Sequence, residues 1–374
     1  WKKNSMPWDS NELKLANLDE KGKIKNTVIF NSEYLKFNGN ISFFNPVWSE
    51  KGELIVAEDS SGWWNITQIQ TDKNNQTIAI TQGKWTIQSD IAFPQWVLGL
   101  SSFSCVGENI VGAFAQDGIW RLALFKKNGC ISIIDLPFSE FSGLHADQNR
   151  LVAISSSSVI GEGIFEINFS DNSWDHTPAS SLKLNPTQIS IGKSFWFRGF
   201  NEEEVHAWYY SPLNSEILLP PLLVKSHSGP TGMARSGLDL EVQYWTSRGW
   251  AVVDVNYGGS SGFGREYRDR LKGKWGLIDV VDCTKAAQSL IDSGKANKDC
   301  IAIIGSSASG FTALNCLAST EIFKVASCKY AVTDLISMSK STHKFEEFYL
   351  DYLIGDIECD YEKYIKRSPT KNIK

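Results

Sequence analysis

The chain has 374 residues, 42% of them apolar and 21% charged, which excludes a fibrous or disordered chain and leaves room for two domains. Its 37 basic and 42 acidic side chains sum to −5, so no face for nucleic acid is expected, and no run of apolar residues is long enough to cross a membrane as a helix. Seven cysteines, odd in number and without a CxxC pair, read as reduced thiols of a cytoplasmic protein. Five scattered histidines without H-x3-H spacing argue against zinc, and neither a metal nor a cofactor is expected.

Residues 1 to about 200 read as short strands and turns. The chain opens on Trp1 rather than Met, no basic-then-apolar signal segment comes after it, and it reads as a cut end. Runs at 13–18, 66–70, 121–125 and 164–169 alternate with period two. Each ends in turn chemistry: Asp19-Glu20-Lys21-Gly22, Thr71-Asp72-Lys73-Asn74-Asn75, Lys126-Lys127-Asn128-Gly129 and Ser170-Asp171-Asn172. Second strands follow at 77–80 and 131–134, and others precede at 52–57 and 109–114. A recurrence of about 40–50 residues with four strands per unit predicts about four β-propeller blades. The alternative, a β-sandwich, would show turns every 8–12 residues without the longer period. Trp48, Trp63, Trp64, Trp85, Trp96, Trp120 and Trp174 punctuate the strands. Packing between blades is the simpler reading of them, and an aromatic substrate surface the sharper one.

Residues 195–200 and 205–210 read as strand, turn and strand around the acidic Glu202-Glu203-Glu204, a solvated turn, with a loop at 211–215. His206, inside an aromatic strand, reads as structural. After Pro220-Pro221 the pattern changes to strands at 222–226, 250–256, 300–304 and 325–332, with helices at 277–293 and 308–319. Continuous apolar strands alternating with helices predict a mostly parallel sheet covered on both faces.

Such sheets bind ligands beyond the carboxyl ends of their strands. Three strand ends carry distinctive loops: His227-Ser228-Gly229-Pro230, the glycine-rich segment 256–264, and Gly305-Ser306-Ser307-Ala308-Ser309-Gly310. The last stands between a strand and a helix, the setting of a nucleophile elbow, which tolerates only small residues two positions either side of the nucleophile. Ser306 has Ile304 before it and Ser309 has Phe311 after it, whereas Ser307 has Gly305 and Ser309. Ser307 is therefore the candidate nucleophile; a Gly/Ser-rich helix start without chemistry is the bland alternative. The oxyanion formed on attack needs donors, and the amides of Ala308 and Gly229 occupy the required places. His227 reads as a brace of its own loop rather than a base.

The stretch 221–370 resembles the catalytic domain of the prolyl oligopeptidase family of serine peptidases, most of all its dipeptidyl-peptidase and acylaminoacyl-peptidase-like branch. The likeness rests on His227-Ser228-Gly229-Pro230, on D-V-N-Y-G-G-S-S-G-F-G-R at 254–265, on G-K-W-G-L-I-D-V-V-D-C at 273–283, and on 301–312 and 342–355. Ser228 and Ser309 stand where that family usually has glycine. The resemblance implies a partial β-propeller over 1–200 followed by an α/β-hydrolase domain over 201–374, incomplete at its C-terminus. It implies Ser307 as nucleophile and Gly229 and Ala308 as oxyanion donors. It also implies a small peptide or acyl-peptide as substrate, no nucleic-acid or membrane partner, and compatibility with a homo-oligomer.

In this fold the triad runs Ser, acid, His. The family's acid and histidine lie on loops beyond Arg367-Ser368-Pro369, so both are expected outside this chain, which by itself is then inactive. Asp334 and His343 follow Ser307 in the right order but not at the family's positions, and Asp334 is expected to cap or brace its loop. Two other readings remain: an esterase-like hydrolase, and a non-catalytic propeller scaffold with a dead hydrolase domain, for which Ser228 and Ser309 would be the signs.

Overall fold

The computed structural model describes residues 5–35, 37–71, 77–182, 184–213 and 218–372. The expected turn residues 72–75, the last two residues of the loop at 211–215, and both chain ends lie outside them. The chain forms two compact units. One comprises Trp1–Ser156, Glu162–Ser180 and Gly262–Arg265; the other comprises Ser157–Gly161, Ser181–Ser261 and Glu266–Lys374.

Turn chemistry shapes the first unit. β1 (Leu13–Leu18) and β2 (Ile24–Phe30) pair antiparallel across a turn in which Asp19 Oδ1 accepts the Lys21 and Lys23 amides at 3.0 and 2.8 Å. Three four-stranded antiparallel sheets follow. The first holds β3 (Phe43–Trp48), β4 (Leu54–Glu58), β5 (Asn65–Thr71) and β6 (Thr77–Trp85). The second holds β7 (Phe103–Val106), β8 (Asn109–Gln116), β9 (Ile119–Phe125) and β10 (Ile131–Ile133). The third holds β11 (Glu140–Ala146), β12 (Arg150–Ser156), β13 (Gly163–Asn168) and β14 (Ser173–Pro178). Sequential antiparallel order within each sheet is the build of a propeller blade. The recurring hairpins are the last two strands of successive sheets, which is why they return at one blade's length.

Alternation does its expected work: β12 and β13 bury every second residue. Phe30, Ile41, Phe43, Leu54, Val56 and Ile69 form one apolar core spanning the two-stranded sheet and the sheet after it. Trp64, Trp85 and Trp120 are buried, each contributing on the order of 3 kcal/mol relative to exposure. The Trp85 indole donates to the Lys126 carbonyl at 2.8 Å, and Phe93 stacks on Trp120 at 4.4 Å between centroids. These three are packing residues, whereas Trp48 and Trp174 stand about half exposed.

The second unit is built on a six-stranded sheet: β15 (Lys193–Arg198), β16 (Glu204–Tyr210), β17 (Leu222–Ser226), β18 (Ala251–Asn256), β19 (Ile301–Ser306) and β20 (Val325–Lys329), in the order β15-β16-β18-β17-β19-β20. β15, β16 and β18 pair antiparallel, and β18, β17, β19 and β20 pair parallel. The units divide at Ser180 and Ser181 rather than at the expected 200/201. The reason is that β15 hydrogen-bonds along its whole length to β16 and so belongs to the second sheet.

Eight helices are described in chain order: α1 (Leu240–Thr246), α2 (Gly264–Asp269), α3 (Ile278–Asp292), α4 (Ser307–Ser319), α5 (Leu335–Ser341), α6 (Tyr349–Leu353), α7 (Tyr361–Arg367) and α8 (Pro369–Asn372). Only α3 and α4 are long enough to leave a periodic signature, which is why the other six are missing from the sequence reading. Among the described residues no helix is long and apolar enough to cross a membrane.

α3 carries a buried carboxyl beneath α4. Thr312 Oγ1 donates to Asp279 Oδ2 and the Gly276 amide to Oδ1, both at 2.6 Å, yet burial pushes this acid up from 3.8 to about 6. A folded-state value above the unfolded one favours the protonated form. Its stabilising share is therefore complete below about pH 4 and declines as pH rises to about 6. Asp279→Asn cannot ionise; its Oδ1 can still accept the Gly276 amide while its Nδ2 donates to Thr312 Oγ1, so it should remove part of that decline. Asp282, which burial also raises to about 6, contributes to the remainder. Urea midpoints of both proteins across this range check the expectation; parallel curves would contradict it.

Candidate active site

β19 ends at Ser306 and α4 begins at Ser307, with no loop between them. Ser307 absorbs the reversal with a φ of 50°, in the left-handed region that residues with a Cβ avoid. Such a conformation costs on the order of 1–3 kcal/mol and persists only when neighbours enforce it. Here they do. A Cβ on Gly305 would lie 2.2 Å from the Ser309 carbonyl oxygen, and one on Gly310 would lie 2.7 Å from Ala331 Cβ, so backbone and helix approach where only hydrogen fits. Ser309 is buried, and its Oγ accepts the Ser306 amide at 2.9 Å and donates to the Ser306 carbonyl at 3.0 Å. The Val332 amide donates to the Ser307 carbonyl at 3.2 Å. Ser307 itself is half-buried, and its hydroxyl has no hydrogen-bond partner among the described residues.

β17 and β19 are parallel neighbours, so their carboxyl ends lie side by side. The loop after β17 therefore meets the elbow: Ser228 Oγ donates to the Ser306 carbonyl at 3.1 Å. Gly229 follows with a φ of 66°. The far side of this loop is held by Tyr257, Ser260 and Tyr349. His227 stacks on Tyr257 at 4.5 Å between centroids, with its Nε2 2.6 Å from Ser260 Oγ. Tyr257 donates its hydroxyl to the Pro230 carbonyl at 3.0 Å. The Thr231 amide donates to the Tyr349 hydroxyl at 3.0 Å.

Burial lowers His227 to about 4, so its imidazole is neutral near pH 7 and engaged with Ser260. It braces the loop. Burial holds the Tyr257 phenol well above its ordinary value, which keeps it a donor. Tyr257 lies within a motif quoted from the sequence. Tyr349 lies within 342–355, another of the quoted segments, although nothing local pairs it with Thr231, 118 residues away.

Asp334 and His343 do not join this group. Asp334 caps α5, its Oδ1 accepting the Ile336 and Ser337 amides at 2.9 and 3.0 Å, and these bonds hold its carboxyl below the usual range. His343 is exposed, 3.7 Å from Glu346. Asp334→Ala should cost about 1 kcal/mol of stability, while Asp334→Asn, an equally good cap, should cost little and leave any hydrolytic rate unchanged. A catalytic acid would lose its rate on the same Asn substitution. Among the described residues no three His, Cys, Asp or Glu side chains are grouped to hold a metal ion. A cleft of about 570 Å³ beside α3, α4 and α7 is lined in part by Lys363, Lys366 and Lys371 and includes neither Ser307 nor Gly229.

Residues 236–374 match the prolyl oligopeptidase family. An acylamino-acid-releasing enzyme of Arabidopsis thaliana is 30% identical over 119 residues, 32% of this chain and 16% of that enzyme. The structure of a puromycin-hydrolyzing peptidase of Mycobacterium tuberculosis superposes with a TM-score of 0.91 at 31% identity, covering 100% of this chain and 57% of that one. An acylaminoacyl peptidase of Pyrococcus horikoshii shares the fold, with a TM-score of 0.66 at 19% identity over 89% of this chain and 51% of that one. The chain thus spans little more than half the length of these solved peptidases.

Proposed function

We propose, from the match of residues 236–374 to the prolyl oligopeptidase family, that the protein is a serine peptidase of short peptides and acyl-peptides. Ser307 is its nucleophile, and the amides of Gly229 and Ala308 are its oxyanion donors. The observation that carries this reading is the Ser307 hydroxyl, without a hydrogen-bond partner among the described residues, at φ 50° on a strand–helix turn that is hydrogen-bonded to the loop of Gly229. No histidine among the described residues is bonded to that hydroxyl. The acid and base of the triad are therefore proposed to come from sequence outside these residues, and the 374-residue chain alone is expected to be inactive.

In the cycle, a histidine takes the Ser307 proton as Oγ attacks the scissile carbonyl carbon, and the carbonyl oxygen becomes an oxyanion held by the two amides. The C–N bond breaks, the histidine returns its proton to the leaving amine, and water hydrolyses the acyl-enzyme by the same route. The likeness to acylamino-acid-releasing and puromycin-hydrolyzing enzymes supports acyl-aminoacyl and aminoacyl amides as substrates. Seven free cysteines support a cytoplasmic setting.

The test is to label the full-length protein with a serine-directed phosphonate and then assay acyl-aminoacyl amides, aminoacyl amides including puromycin, and simple esters. Labelling with preference for amides supports a peptidase. Ester preference would make it an esterase, and absence of labelling would leave a scaffold.

A further inference from the structure

Two serines occupy positions where the family resemblance leads one to expect glycine, and both hydroxyls close on one peptide. The Ser306 carbonyl accepts Ser228 Oγ at 3.1 Å and Ser309 Oγ at 3.0 Å, and the Ser306 amide donates to Ser309 Oγ at 2.9 Å. Ser306 directly precedes the proposed nucleophile, and Ser228 directly precedes the proposed donor Gly229. We propose that the Ser228 hydroxyl is a positioning group that sets the spacing between the Gly229 and Ala308 amides, with Ser309 holding the Ser306 peptide as its fixed anchor. This rests on the reading of Ser307 as nucleophile.

The contacts on the far side of the 227–231 loop run to Ser260, Tyr257 and Tyr349, and none of these is on the elbow. Those contacts fix where the loop sits on its own support. Ser228 instead joins it directly to the segment that carries Ala308. Gly229, at φ 66°, has no Cβ to restrict its backbone, and besides Ser228 Oγ only His227 Nδ1, 3.3 Å from the Ser228 carbonyl oxygen, reaches the peptide that carries its amide among the described residues. A pair of donors acts well only when both amides converge on the point where the charge will form, so a loosened Gly229 amide weakens one of two bonds. That charge exists in the transition state and not in the bound substrate, so the loss falls on kcat and leaves KM alone. Ser309, buried and doubly bonded, prevents the Ser306 carbonyl from turning away when Ser228 pulls on it.

The test compares Ser228→Ala, Ser228→Gly and Ser228→Thr in the full-length protein. Removing the hydroxyl should lower kcat about 3- to 10-fold and leave KM within about twofold of its starting value. It should weaken a peptide boronic acid, which binds as a tetrahedral adduct, by the same factor as kcat. Thr restores the hydroxyl and should restore kcat. Ser228→Ala with unaltered kcat, or a loss confined to KM, or a loss that Thr does not recover, would overturn the proposal. Ser307→Ala keeps the two ideas apart. If it retains activity, the nucleophile assignment fails. If it abolishes activity while Ser228→Ala behaves as the unsubstituted protein, only the positioning role fails.

Discussion

Ser307→Ala in the full-length protein is expected to abolish phosphonate labelling and to lower amide hydrolysis about 10⁴- to 10⁶-fold. The magnitude follows from the role: without Oγ there is no acyl-enzyme, and only binding and the two amides remain to assist water. Folding should be unaffected or slightly improved, since the hydroxyl has no hydrogen-bond partner among the described residues to lose. The neighbours provide the control. Ser309 is buried with its hydroxyl committed to the Ser306 peptide, so Ser309→Ala should still label. Labelling that survives in Ser307→Ala and disappears in Ser306→Ala would move the nucleophile by one residue. Labelling that survives in all three would remove the elbow from the chemistry.

Gly305→Ala is expected to be the most damaging small substitution in the second unit. The added methyl would sit 2.2 Å from the Ser309 carbonyl oxygen, 2.4 Å from its carbonyl carbon and 2.7 Å from the Gly310 nitrogen. All three are backbone atoms of the first turn of α4, so no side chain can swing aside. Relief requires that helix to lift from the end of β19, and Gly310 lies too close to Ala331 for it to slide freely. Overpacking costs about 1–3 kcal/mol where neighbours can yield, and here the cost should reach or exceed the upper end. Chemical denaturation measures it, and labelling should be lost in parallel because the turn that presents Ser307 is the part that moves. A Gly305→Ala protein with unchanged midpoint and labelling would show that the turn is more pliable than this packing allows.

The same elbow shows how far the sequence could be read. Small residues either side of Ser307 were required by sterics alone, and the contacts at Gly305 are the ones that argument anticipates. Strand 222–226 was legible to the residue because its apolar run ends in a loop, and Asp334 was expected to cap or brace its loop, though the helix that begins there was not expected. α1, α2 and α5 to α8 were not legible. With four to seven residues each, they complete too few turns for a periodicity to emerge. The unit boundary was missed for a different reason. Lys193–Arg198 has the composition of a blade strand, and nothing within it says that its hydrogen bonds go to β16.

By itself, then, the sequence determined what depends on near neighbours: alternation, turns, caps, the change from antiparallel to parallel pattern, and a serine flanked by residues small enough for a strained bend. Only the tertiary structure decided which sheet β15 joins, that Tyr349 holds Thr231, and that Ser228 and Ser309 meet on one carbonyl. Strand ends become neighbours through sheet order, and hydrogen bonds between residues tens of positions apart depend on that order, which no local spacing encodes.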